Sequence, residues 1–326
     1  MRRNVLTILT CSSLLFTASC QNVEEPRFSF EEQGREVPRF SSENAYGFIE
    51  DQVDFGPRSP GSDGHMRAKD YFVDQLENYA GERFVYVQSF SHTGYDGISL
   101  PLHNIIAAFN VQSRNRILLA AHWDTRPRAE EDPDKPDSPI PGADDGGSGV
   151  AVLLELARIL SEFPPPVGID IILFDGEDYG ESGDLDNYFL GSRYWSMNQP
   201  VEGYSPRFGI LLDMVGGDDA RFPKEGYSVR IAPQLVDAVW RTAAQLGYES
   251  FFPDERGAMI SDDHVIVERN TGIPVINIIN HRRSENGGAE FPPYWHTTDD
   301  DMDIIDRETL QATGDLLTEL IYNRIN

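Results

Sequence analysis

A layered α/β fold, a single domain with one central, mainly parallel mixed β-sheet flanked by helices, is predicted by three features of this 326-residue chain. Continuous apolar runs at 105–109, 117–121, 169–174, 208–215 and 274–279 have the length and composition of strands buried on both faces. Helical spacing alternates with these runs, most clearly at 147–163 and 234–246. Acids and histidines recur just after the runs, and open α/β sheets bind ligands outside the carboxyl ends of their strands.

Taken in order, the chain starts with a non-fold signal. Arg2 and Arg3 precede an apolar stretch at 5–16 that is too short to span a bilayer. It runs into Phe16-Thr-Ala-Ser-Cys20, which resembles a bacterial lipoprotein signal with Cys20 as the lipidated residue. We therefore read 1–19 as a signal peptide, 20–42 as a flexible polar tether and 43–326 as the catalytic domain. The protein is then expected to be exported and lipid-anchored to the cell envelope. Both cysteines, Cys11 and Cys20, fall in the leader, so the body has no disulfide to form.

Within the body, 45–53 and 65–79 are amphipathic helical segments separated by a Gly/Pro turn, and 84–90 alternates as a strand. The helix at 147–163 repeats Val150, Leu153, Leu154, Ala157 and Leu160, and Pro164-Pro-Pro166 stops it. A last helix is predicted at 307–321.

Fifty-four acids against 27 Lys and Arg give a formal charge of −27, which repels phosphate backbones and excludes nucleic acid as a partner. Two acidic runs, 130–137 and 299–301, lie close in sequence to the residues of interest, and the first reads as solvated surface.

The chemistry concentrates in four places. His122-Trp-Asp124 ends one strand, and Pro141-Gly-Ala-Asp-Asp145-Gly-Gly-Ser-Gly149 is a glycine-rich loop entering a helix. Phe174-Asp-Gly-Glu-Asp178 sets two carboxylates after another strand, and Trp295-His-Thr297 brings a late histidine. Singly, each has an ordinary explanation: Asp145 as a helix cap, Glu177 and Asp178 as a turn, a histidine as packing. Jointly, with no cysteine in the body, they fit a mixed carboxylate and imidazole site for a zinc-type metal. His65, His92, His103 and His281 are read as structural.

These motifs, from about residue 55 onward, resemble the zinc-dependent M28 peptidase family and its glutaminyl cyclase (glutaminyl-peptide cyclotransferase) branch. Asp262-Asp-His264 and the Trp before His296 carry the likeness to that branch. The resemblance implies a zinc aminopeptidase/phosphorylase-hydrolase-like fold and one zinc on Asp145, Asp178 and His296. It also implies Glu177 as general acid/base, supported by Asp213 and Asp262, and Trp295 lining the substrate pocket. Two departures are visible: Asp178 stands where animal cyclases have Glu, and the polar stretch 181–187 lacks the tryptophan those enzymes carry soon after the acid pair.

The implied reaction closes an N-terminal glutaminyl residue of a peptide or protein to pyroglutamyl with release of ammonia, and the chain is expected to act as a monomer. An alternative within the family is a two-zinc aminopeptidase, with Asp145 shared and His122 and Asp213 holding the second metal. A third reading is a surface lipoprotein that binds peptides without turnover. For Asp262, a helix N-cap competes with a catalytic role, and both can coexist.

Overall fold

The computed structural model describes residues 30–181 and 183–325, so the expected leader and both cysteines lie outside the described residues. Among the described residues the strands are β1 (Val85–Thr93), β2 (Ser99–Phe109), β3 (Arg116–His122), β4 (Gly168–Phe174), β5 (Gly209–Asp213) and β6 (Val275–Ile279). They form one mixed sheet in the order β1-β2-β4-β3-β5-β6. β4, β3, β5 and β6 run parallel, while β1 and β2 pair antiparallel at one side. The predicted fold class is the one observed.

The apolar runs make central strands because both of their faces are covered. In β3, Ile117, Leu119 and Ala121 enter the larger core, while Leu118 and Ala120 enter a smaller one on the opposite face. The larger core is closed by α1 (Ser42–Asp54), α2 (Asp63–Ala80), α3 (Gly147–Glu162), α6 (Pro233–Gln245) and α8 (Arg307–Glu319). The smaller core is closed by Trp195 of α4 (Leu190–Met197) and Val267 of α7 (Asp263–Thr271). Such a strand has no solvent face, so its sequence loses the alternation that marks a half-exposed one. A short helix α5 (Gly226–Ile231) and a two-stranded ribbon of β7 (Arg282–Arg283) and β8 (Ala289–Glu290) complete the elements used below.

The sequence reading missed α4, α5 and α7, which are short and carry few apolar repeats. It also ended the tether too late. Phe30 meets Phe208 edge-on at 5.9 Å, the Gln33 amide donates to the Asn323 carbonyl at 2.9 Å, and Phe40 is fully buried. Residues 30–41 have no regular element, yet apolar burial and hydrogen bonds hold them on the body rather than leaving a free tether.

The parallel strands all present their carboxyl ends to one rim, and α3 starts there. Its N-terminus needs glycine for two reasons. Gly146 adopts φ +71°, and a Cβ on Gly149 would stand 2.7 Å from the carbonyl oxygen of Leu212, next to Asp213. The close approach of α3 to β5 therefore depends on a missing side chain. Replacing Gly149 by Ala is expected to cost about 1–3 kcal/mol by overpacking, read as a lower urea midpoint with an unchanged slope.

Candidate active site

The candidate ligands reach the rim from the strand ends and from the loops near them. His122 is the last residue of β3, Asp213 the last of β5, and Asp178 follows β4 by four residues. Asp145 precedes α3, and His296 lies in the loop after β8. The structure gathers them into two overlapping groups: Asp145, Asp178 and His296, and His122, Asp145 and Asp213, with ligand atoms in each within 4.8 Å of one another. Nε2 of His296 is 3.5 Å from Asp178 Oδ1 and 3.8 Å from Asp145 Oδ2. Nε2 of His122 is 3.1 Å from Asp145 Oδ1 and 3.3 Å from Asp213 Oδ1.

The first group fits a divalent metal of the zinc type. Two carboxylates and an imidazole are a known donor set, and Oδ2 of Asp178 is buried without a hydrogen-bond partner. A buried carboxylate oxygen left unpaired is costly, and coordination of a cation relieves that cost.

What holds the ligands is a set of carboxylates that accept backbone amides. Asp124 accepts the amides of Glu177 at 2.9 Å and Asp178 at 3.2 Å, so the end of β3 clamps the acid pair after β4. Asp300 accepts the amides of Asp144 at 2.7 Å and Asp145 at 3.1 Å, clamping the glycine-rich loop. Asp144 in turn accepts the Gly216 amide and the Tyr294 hydroxyl. Arg58, buried among these loops, donates to the carbonyls of Trp123, Pro141 and Gly142. Asp124 and Asp144 were visible in the motifs, but nothing in their spacing distinguishes a tie from a ligand.

Strain accumulates at the same place. Among the described residues, five non-glycines have positive φ, and three of them line this cleft: Phe189 at 59°, Met214 at 49° and His296 at 55°. Non-glycine residues are held in that region only where the surroundings fix them.

The cleft has a volume of about 330 Å³ and is lined by Asp145, Glu177, Asp178, Asp213, Asp262 and Trp295, among others. Every residue that the resemblance assigned therefore reaches it. Trp295 stacks on the His296 ring with centroids 3.5 Å apart, and Phe291 stacks on Trp295 at 4.5 Å. Leu185, from the stretch without a tryptophan, and Tyr188 and Phe189 just beyond it line the cleft. Asp262 caps α7 by accepting the Asp263 amide while also lining the cleft, and its Oδ2 accepts Asn277 Nδ2 at 2.6 Å. Asp263, which the sequence reading quoted only as part of a motif, is buried beside it.

The acidic run at 130–137 is solvated surface only in part: Glu131, Asp134 and Asp137 are exposed as expected, while Glu130 is half-buried and Asp132 is buried. Glu130 and Glu131 line the cleft, and Asp132 accepts the amide of Thr298 at 3.0 Å together with its hydroxyl. This run packs against the His296 loop, and its amides and carboxylates find partners there. His65 is structural as expected, with Nε2 against both oxygens of Asp175 at 3.0 and 2.9 Å.

Crowding shifts the protonation of the unclamped acids. Burial, with Asp178, Asp262 and Asp263 nearby, drives Glu177 well above the usual carboxylate range, although His122 opposes the shift. Burial raises Asp213 to about 8, against the pull of His122 and with the help of Asp262. Asp178 goes the other way. Burial opposes its charge, but His296 and Arg126 outweigh it and hold the carboxyl at about 2. The rim thus pairs an ionised ligand with neighbouring acids that retain protons.

Residues 104–321 match the model of peptidase family M28. The chain is similar to a bovine glutaminyl-peptide cyclotransferase, 26% identical over 299 residues that cover 82% of this chain and 79% of that protein. In structure it is similar to a Bacteroides thetaiotaomicron glutaminyl cyclase, with a TM-score of 0.84 and 45% identity over 89% of this chain and all of that one. A Zn-dependent exopeptidase from Parabacteroides distasonis gives the same TM-score, identity and coverage.

The Asp124 clamp has a measurable consequence. Asp124→Ala removes the acceptor of two amides next to a ligand and is expected to lower metal affinity by about 10–100-fold. Titration of the folded variant with zinc against a chelator of known affinity measures this, and unchanged affinity would refute the clamp.

Proposed function

The chain belongs to peptidase family M28, and on that premise we propose that it is a zinc-dependent glutaminyl-peptide cyclotransferase. Its substrates are peptides or proteins with N-terminal glutamine, and its products are pyroglutamyl chains and ammonia. The observation that carries the reading is Glu177: it is not needed as a ligand, it lines the cleft next to Asp178, and its environment keeps it protonated more readily than an ordinary glutamate. The likeness to named glutaminyl cyclases in sequence and in structure supports the same reading.

Asp145, Asp178 and His296 are the residues that would hold one zinc. When bound, zinc supplies Lewis acidity to the side-chain amide carbonyl of the substrate. The remaining work falls to the protein's own groups. The substrate's α-amine is the nucleophile, so no enzyme serine, cysteine or activated water is required. Glu177 in its ionised form accepts a proton from the amine as the new C–N bond forms, its raised proton affinity making it a stronger base than an ordinary carboxylate. It then returns that proton to the amide nitrogen, which leaves as ammonia when its C–N bond breaks. Asp213 and Asp262, both at the cleft and both raised by burial, keep a shared proton beside Glu177. Trp295, stacked on His296, gives the glutaminyl side chain a flat apolar wall.

The two-zinc aminopeptidase keeps one observation in its favour, since His122, Asp145 and Asp213 also come together as a metal-sized group. The reactions separate by product. A peptide beginning with glutamine is expected to lose one ammonia by mass spectrometry, and release of its free N-terminal amino acid would overturn the cyclase reading. Glu177→Gln is expected to lower turnover by about 10²–10⁴-fold, and the active protein is expected to contain one zinc per chain by elemental analysis. The leader supports a further placement, on the envelope through lipidated Cys20. Cys20→Ala is expected to release the enzyme from the membrane fraction.

The mouth of the cleft bears on substrate choice. Seven acids line the cleft, and among the described residues no Lys or Arg does. Glu131 stands exposed at its edge beside exposed Leu185 and Met259. Peptides with an acidic second residue are expected to show a kcat/KM lower by about two- to tenfold than those with a lysine there, with the gap narrowing at high salt.

A further inference from the structure

Arg126 lies behind the cleft rather than in it. The residue is 1% exposed, does not line the cleft, and is not a member of either candidate metal group. Its guanidinium nevertheless touches three functional parts at once. Nη1 donates to the carbonyl oxygen of Asp178 at 2.9 Å and to its Oδ1 at 2.8 Å. Nη2 donates to the hydroxyl of Tyr188 at 2.9 Å and also to Glu130. Nε donates to both oxygens of Glu130 at 2.7 Å. All five N–H donors of the fork are in use, and their partners are a metal ligand and two side chains of the cleft wall.

We propose that Arg126 is a positioning residue, whose planar fork sets the metal ligand Asp178 and the wall residue Tyr188 in one rigid arrangement. The proposal rests on the metal reading of Asp178 and not on which reaction the site performs. Three features of the geometry support it. Main chain and side chain of Asp178 are gripped by the same nitrogen, which fixes the carboxylate's direction as well as its place. Aspartate has one fewer rotatable bond than glutamate, so a ligand of this length is set closely once its backbone is fixed. Tyr188, just after the stretch without a tryptophan, lines the cleft, and its hydroxyl is oriented by the fork.

A purely electrostatic role for Arg126 makes a different prediction. Its charge both repels a divalent cation and keeps Asp178 ionised, and lysine retains that charge, so on charge alone Arg126→Lys should bind zinc as the wild type does. Positioning predicts weaker binding, and it further predicts that charge without the fork does not suffice. Lysine has three donors on a single nitrogen and cannot reproduce a planar five-donor pattern.

The test uses the full chain and zinc alone as the probe, with affinity measured by chelator competition and folding checked by circular dichroism. Arg126→Lys and Arg126→Met are both expected to lose about 10–100-fold in zinc affinity. Tyr188→Phe is expected to keep zinc affinity while raising KM for a glutamine-initiated peptide more than it lowers kcat. Wild-type affinity in Arg126→Lys would show that charge is enough and overturn the proposal, as would tighter binding in Arg126→Met. Should Arg126→Met fail to fold, the lysine variant decides alone, since it keeps the stem and the charge. Wild-type chain that binds no zinc through Asp178 would remove the metal reading itself, a result distinct from failure of the fork and independent of the peptide assay.

Discussion

Buried carboxylates that accept backbone amides from a neighbouring loop are the interaction on which this site depends. Asp124, at the end of β3, ties down the loop after β4, and Asp300, far along the chain, ties down the loop before α3. Asp144 ties the turn after β5 through the Gly216 amide. Each tie gives a buried carboxylate amide donors that would otherwise be unpaired, so neither side can relax without leaving a polar group stranded. The ligands therefore inherit the rigidity of three strands rather than that of the loops they occupy.

The same density of acids sorts them into two kinds. Asp178, which receives a guanidinium and faces an imidazole, is compensated and holds its charge, whereas burial and the nearby Asp144 and Asp145 raise Asp300 well above the usual carboxylate range although it accepts two amides. Glu177 and Asp213 are compensated only in part, and their burial among like charges raises their affinity for protons. A site that needs an ionised ligand beside a proton carrier obtains both from one cluster by distributing donors unevenly. Arg126 and Arg58 are the buried cations closest to this work, and neither enters the cleft.

Much of this was legible in the sequence, and the reason is geometric. Parallel strands put their carboxyl ends on one rim, so motifs such as His122-Trp-Asp124 and Glu177-Asp178, each placed after an apolar run, were bound to converge. The ties were not legible, because Asp300 reaches Asp144 across 156 positions and a lone acid carries no mark of its partner. Arg126 was invisible for the same reason, and α4 and α7 were missed because elements of eight and nine residues leave too little periodicity to read. The run at 130–137 is solvated at Asp134 and Asp137 but not at Glu130 and Asp132, since composition alone cannot tell a solvated acid from one packed against a histidine loop.

The remaining choice between cyclisation and hydrolysis turns on who supplies the nucleophile. An aminopeptidase must generate hydroxide from water, a task suited to a second metal on His122 and Asp213. In cyclisation the nucleophile is already tethered to the amide it attacks, and intramolecular attack from a well-held conformer replaces much of what water activation would provide. The need is then for proton transfer and a close-fitting wall. His122 between Asp145 and Asp213, with Asp262 capping α7 and accepting from Asn277, reads on those terms as a proton-holding network. The stack of Phe291, Trp295 and His296 reads as the wall. A site built this way asks one metal to polarise a carbonyl and asks its crowded acids to move a single proton twice.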